Sequence, residues 1–176
     1  MCADTIHHRT RVVIADDHEM VRRGIAMTLE AESDLEVVGQ AATGRAAVDL
    51  VAQLMPDVVL LDIQMPDMDG IATATAIRAG TPGVTILVLS SYSDDARVYA
   101  ALRAGVNGYL LKELSADDLV AAVRGAARGE PQLHPKIARK LMDRMAPPDD
   151  PISQLSQREQ EVLRLVAAGR SNKEIG

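Results

Sequence analysis

Residues 58–62, VVLLD, decide the fold of this chain: four branched aliphatic side chains in a row, ended by a bare carboxylate, Asp62. A run of this kind, without polar alternation, reads as a strand buried on both faces, as in a parallel sheet covered by helices. A charge at its end is costly unless something there uses it. Four further runs share the pattern: RVVIA (11–15), LEVVGQ (35–40), TILVLS (85–90) and GYLLK (108–112). Helical patterns lie between them at Met20–Ala31, Gly44–Leu54, Gly70–Ala79 and Asp94–Ala104, with a fifth at Ala116–Arg128. Strand–helix alternation at this spacing predicts βαβ units and an α/β fold, a doubly wound five-stranded parallel sheet with helices on both faces.

The local start signals agree with these elements. SADD (115–118) and SQRE (156–159) match the capping box, and Thr43 in AATGRAA (41–47) is placed to cap the helix that follows. The same stretch is faintly similar to a flavodoxin phosphate loop, but the cap is the simpler reading. After Arg128 the pattern changes. GEPQLHP (129–135) breaks the chain, KIARKLMDRM (136–145) reads as one amphipathic helix, and APPDDP (146–151) as a stiff acidic linker. A capped helix, Gln157–Ala168, then restarts the fold. Three segments result: 10–128, a linker with a helix at 129–152, and a helical fragment at 153–176.

Hydrophobic content of 47% over 176 residues supplies a real core, and with no Phe or Trp and only three Tyr that core must be aliphatic. The single Cys2 excludes an internal disulfide. No stretch has the length of a signal peptide or a membrane span, which predicts a cytoplasmic protein with no membrane partner. The net charge of −6 is unevenly spread. Residues 1–130 hold 11 Lys and Arg against 19 Asp and Glu, whereas residues 131–176 hold 8 against 6. The acidic part is a poor nucleic-acid binder, and the basic tail the better candidate.

In a doubly wound sheet, chemistry gathers outside the carboxyl ends of the strands. Four of the five expected strands end there in polar residues: Asp16 and Asp17, Asp62, Ser90, and Lys112. Three acids with few basic neighbours favour a hard divalent cation such as Mg²⁺, which takes oxygen ligands and keeps several waters. Asp62 can then act as a nucleophile on phosphorus, giving an acyl phosphate, with Lys112 and the Ser90 hydroxyl each holding one transferring oxygen.

These motifs (IADDH, LLDIQMPDMDG, VLSSY and GYLLK, in order) resemble the CheY-like receiver domain of two-component response regulators over about residues 10–128. The resemblance implies that Asp62 is the phospho-acceptor and Mg²⁺ the cofactor. Asp17 and Asp62 would ligate the ion directly, Asp16 through water, and Gln64 through its backbone carbonyl. Ser90 and Tyr109 would form the switch pair, the aromatic ring moving inward as the hydroxyl turns to the phosphoryl group. Glu113 stands where many receivers have a cis-proline, so the loop after Lys112 is expected to differ. LSQREQEVLRLVAAGRSNKEI (155–175) resembles the start of a LuxR-type helix-turn-helix, which points to the NarL/FixJ regulators. In that family the third helix of four enters the major groove, and the visible capped start at Ser171–Glu174 stops short of it. The expectation is therefore a truncated output domain: a phosphorylation-controlled transcription regulator whose partners are a sensor histidine kinase and, in a full-length form only, promoter DNA. It is not a turnover enzyme on an external substrate.

Other readings compete at particular residues. A haloacid-dehalogenase-like phosphatase also uses an aspartyl phosphate but needs a second Asp two positions later, where this chain has Gln64. A receiver-only module that dimerises or sequesters partners without touching DNA is the alternative for the chain as given. The apolar stripe Val162, Leu163, Leu165 and Val166 needs a partner surface, which favours a homodimer. His7 and His8 read as a disordered tail, His18 as a solvated or capping residue. Lys136, Arg139, Lys140 and Arg144 read as the wet face of the linker helix.

Overall fold

The apolar runs form strands, and their order in the sheet brings their polar ends together. In a computed structural model of the chain, residues 9–91 and 93–145 are described. β1 (Thr10–Ala15), β2 (Leu35–Ala41), β3 (Val58–Leu61), β4 (Thr85–Ser90) and β5 (Gly108–Leu111) alternate with α1 (Glu19–Glu30), α2 (Gly44–Leu54), α3 (Gly70–Gly80), α4 (Asp95–Arg103) and α5 (Ala116–Ala127). A short β6 (Gln132–Leu133) and α6 (Pro135–Met145) follow. All the strands pair in parallel, in the order β2-β1-β3-β4-β5-β6. The chain order reverses at β1, so the crevice between β1 and β3 is the topological switch point.

Side-chain alternation divides the core between two layers. Val12, Ile14, Val58, Leu60, Leu87, Leu89 and Leu110 pack with Ile25 and Leu29 of α1 and with Leu119 and Val123 of α5. The alternate residues, among them Val13, Leu61, Ile86, Val88 and Tyr109, are equally buried and face the side where α2, α3 and α4 bury Val51, Ile77 and Val98. β3 is 0–1% exposed along its whole length, as its unbroken aliphatic run requires.

The caps expected at Thr43 and Ser115 form, and the structure adds two more at Asp69 and Asp94. Thr43 Oγ1 accepts from Ala46 N–H, Asp69 Oδ1 from Ala72 N–H and Asp94 Oδ1 from Arg97 N–H. Ser115 Oγ accepts from Asp118 N–H and donates its own proton to the Asp118 carboxylate at 2.6 Å. Residues 129–135, read from sequence as a break, include β6. Gln132 pairs with Gly108 and Leu133 with Tyr109. Gly108 permits this, since a Cβ there would overlap the Gln132 carbonyl oxygen. A two-residue strand carries no period to read.

The chain divides into two compact units, Met1–Ala138 and Arg139–Gly176, and the first holds all six of these strands. Among the described residues no helix is long and apolar enough to cross a membrane. Cys2, His7, His8, the SQRE box and the helix Gln157–Ala168 lie outside the described residues.

Candidate functional site

Four strands, β1, β3, β4 and β5, deliver polar groups to the same end of the sheet. Asp16 follows β1 and is 2% exposed, Asp62 follows β3 at 5%, Ser90 closes β4 at 0%, and Lys112 follows β5. The sheet's own ladder fixes the loops that carry them. Asp62 N–H donates to the Ala15 carbonyl at 2.8 Å, Asp16 N–H to Ala41 at 3.1 Å, and Lys112 N–H to Ser90 at 2.9 Å. Gly70 closes the loop from Asp62 to α3, because a Cβ there would overlap the carbonyl oxygen of Asp62 itself.

The Lys112 ammonium bridges the two buried acids, 2.5 Å from Asp16 Oδ2 and 2.9 Å from Asp62 Oδ2. Asp62 Oδ1 accepts from the Ile63 N–H at 2.7 Å, and Asp16 Oδ1 from the His18 N–H at 2.8 Å. Asp17 is one-third exposed, and His18 Nδ1 lies 2.8 Å from its Oδ1. Burial pushes the Asp62 carboxyl above the ordinary carboxylate range, aided by the like charge of Asp16 and opposed by Lys112. Burial alone would lower Lys112, but its hydrogen bonds to Asp16 and Asp62 outweigh it and hold the ammonium above its usual value.

Ligand atoms of Asp16, Asp17, His18 and Asp62 all lie within 4.8 Å of one another. Asp17 opens into a cavity shared with Gln64, Asp69 and Arg97. Three carboxylates against one ammonium, with water access through Asp17, are a hard oxygen donor set that fits Mg²⁺. Asp62 is thus nearly as enclosed as Asp16, and Asp17 is the acid of the three that faces solvent.

Below the mouth, Tyr109 is wholly buried and its phenol is hydrogen-bonded to Ser90. Burial pushes that phenol's ionisation up, and the bond to Ser90 moderates the shift. The structure therefore brings together Asp16, Asp17, Asp62, Ser90, Tyr109 and Lys112, with Gln64 exposed at the rim. Sequence reasoning missed one group, Arg97, and read His18 as a solvated or capping residue. His18 occupies the N-cap position of α1 but makes no side-chain cap bond, its ring turning to the acids instead. Arg97 reaches the mouth from the first turn of α4, 35 positions along from Asp62, at a spacing that carries no sequence signal.

The chain matches the family described as the response regulator receiver domain over residues 12–124, and the luxR family of bacterial regulatory proteins over residues 153–176. Response regulator protein VraR of Staphylococcus aureus is 44% identical over 165 residues, which cover 94% of this chain and 79% of that protein. The crystal structure of a two-component response regulator of the LuxR family from Aurantimonas sp. SI85-9A1 aligns with a TM-score of 0.75 at 28% identity, covering 79% of this chain and 99% of that one. The RcsB response regulator of Salmonella typhimurium, in a structure concerned with DNA interaction, aligns with a TM-score of 0.72 at 32% identity, covering 96% and 82%.

Proposed function

Since this chain belongs to the response regulators of two-component systems, a receiver joined to a LuxR-type DNA-binding module, we propose that Asp62 is its phospho-acceptor and that residues 10–128, 129–152 and 153–176 act as receiver, linker and output. The observation that carries this reading is the bridge of one ammonium, Lys112, across two buried carboxylates at the switch point of the sheet. An oxygen of Asp62 attacks the phosphorus of a phosphohistidine on the partner kinase. The new P–O bond forms as the P–N bond breaks, and that electron pair stays on the imidazole. Lys112 exchanges a carboxylate partner for a phosphoryl oxygen, and the Ser90 hydroxyl takes another, leaving its bond to Tyr109. Asp17, Asp62 and the Gln64 carbonyl would hold Mg²⁺, with Asp16 acting through water, and the ion would neutralise charge on the transferring oxygens.

The partners that follow are a sensor histidine kinase, a second copy of the chain and, in a full-length form only, promoter DNA, in the cytoplasm. Incubation with Mg²⁺ and a small acyl-phosphate donor should add one phosphoryl group, read by intact mass. Asp62→Asn keeps the shape, removes the nucleophile and should abolish the label. A label of equal stoichiometry in Asp62→Asn would refute the assignment.

A further inference from the structure

We infer that residues 130–138 form a strap that carries the phosphorylation state of Asp62 to α6 through one ionic link, while one link along the sheet anchors it; the inference rests on Asp62 being the phospho-acceptor. The ionic link starts beside the site. Lys112 is followed at once by Glu113, whose Oε1 accepts from Lys136 Nζ at 2.5 Å in the first turn of α6. His134 Nε2 lies 4.0 Å from the same oxygen, and its Nδ1 accepts from the Lys136 backbone N–H at 3.3 Å. The turn that holds Glu113 is short, with Leu114 N–H donating to Leu111 at 3.2 Å, so a backbone shift at Lys112 is passed directly to Glu113.

The second link is backbone. The Tyr109 carbonyl accepts from His134 N–H at 2.9 Å, while the Tyr109 side chain meets Ser90 on the site side. One residue of β5 thus touches the switch hydroxyl with its ring and the start of α6 with its main chain. Gln132 is drawn in close on two sides, since a Cβ at Gly108 would overlap its carbonyl and a Cβ at Gly125 its side-chain amide. Ile137, 0% exposed, pins the first turn of α6, and its N–H donates to His134 at 2.8 Å.

The two links differ in strength, and the difference suits a switch. Ile137 and the ladder hold the strap in place whatever the state of Asp62. The Glu113 and Lys136 side chains are 56% and 63% exposed, so their pair is weak enough to break with a small displacement. A phosphoryl group on Asp62 draws the Lys112 ammonium off Asp16, the turn at 112–114 follows, and Glu113 is pulled from Lys136.

Amide hydrogen exchange on the whole chain, with Mg²⁺ and a small acyl-phosphate donor, tests this. Phosphorylation should speed exchange at Ile137 and Ala138 about two- to fivefold, the range an exposed ion pair supports. Glu113→Gln should show the faster rate before phosphorylation and little further response. Exchanging the charges, Glu113→Lys with Lys136→Glu, should restore both the slow rate and the response. A wild-type chain that takes the label yet keeps its exchange rates unchanged overturns the strap and leaves the acceptor standing. Failure of the wild type to take the label overturns both. A full response persisting in Glu113→Gln rejects the ionic link.

Discussion

Asp62 ends a strand buried on both faces, so its carboxylate ionises at a cost that Lys112 only partly offsets. Its folded pKa lies above the unfolded value, so the folded state holds the proton more tightly, and stability falls as pH rises through that interval. Asp62→Asn should therefore raise the thermal midpoint at neutral pH, with the gain fading in acid; equal gains at both pH values would contradict the burial argument. Lys112 works in the opposite sense. Lys112→Met leaves Asp16 and Asp62 facing each other at 3% and 5% side-chain exposure, a loss of about 3–5 kcal/mol at neutral pH. Urea unfolding should show that loss shrinking in acid, where protonated carboxyls need no counter-charge. These residues were legible because each stands where an apolar run stops. Arg97 was not, because a side chain's reach across a mouth leaves no mark on local periodicity.

At the scale of elements, the long apolar runs and the capped helices were readable, and Gly44–Leu54 matches its expected bounds. What escaped depends on distant partners. Arg78 donates to the carbonyls of Pro82, Val84 and Gly105 and to the Asn107 side chain, clamping the start of β4 to the loop before β5. Arg124 ties α5 to Glu32 and Asp34 in the α1–β2 loop. Neither arginine differs in sequence context from a solvated one. α2 ends on Met55 in the left-handed region, φ 47°, where sequence logic expects Gly. Gly70 is the element boundary that matters most to the site. Gly70→Ala forces the new methyl against the Asp62 carbonyl, which should cost about 1–3 kcal/mol in urea unfolding and slow phosphoryl uptake. Normal uptake in a folded Gly70→Ala variant would show that the loop yields without moving Asp62.

For the whole molecule, cation binding and folding are one equilibrium. An ion that binds only the folded site stabilises it by about 2.7 kcal/mol at a hundredfold excess over Kd, so Mg²⁺ should raise the thermal midpoint in a saturable way. Asp17→Asn should weaken that response while leaving the metal-free midpoint nearly unchanged, since Asp17 is one-third exposed. An unaltered Mg²⁺ response in the variant would remove Asp17 from the ligand set. The aliphatic core has a further consequence, this time optical. Lacking tryptophan and holding three tyrosines, the chain absorbs and fluoresces in the near ultraviolet through phenol rings alone. One of those rings, Tyr109, is sealed in the core against Ser90, and burial holds its ionisation above the ordinary range. Its emission and its alkaline difference spectrum therefore report on the hydroxyl beside the proposed phospho-acceptor, giving the regulator a built-in, label-free signal of its own state.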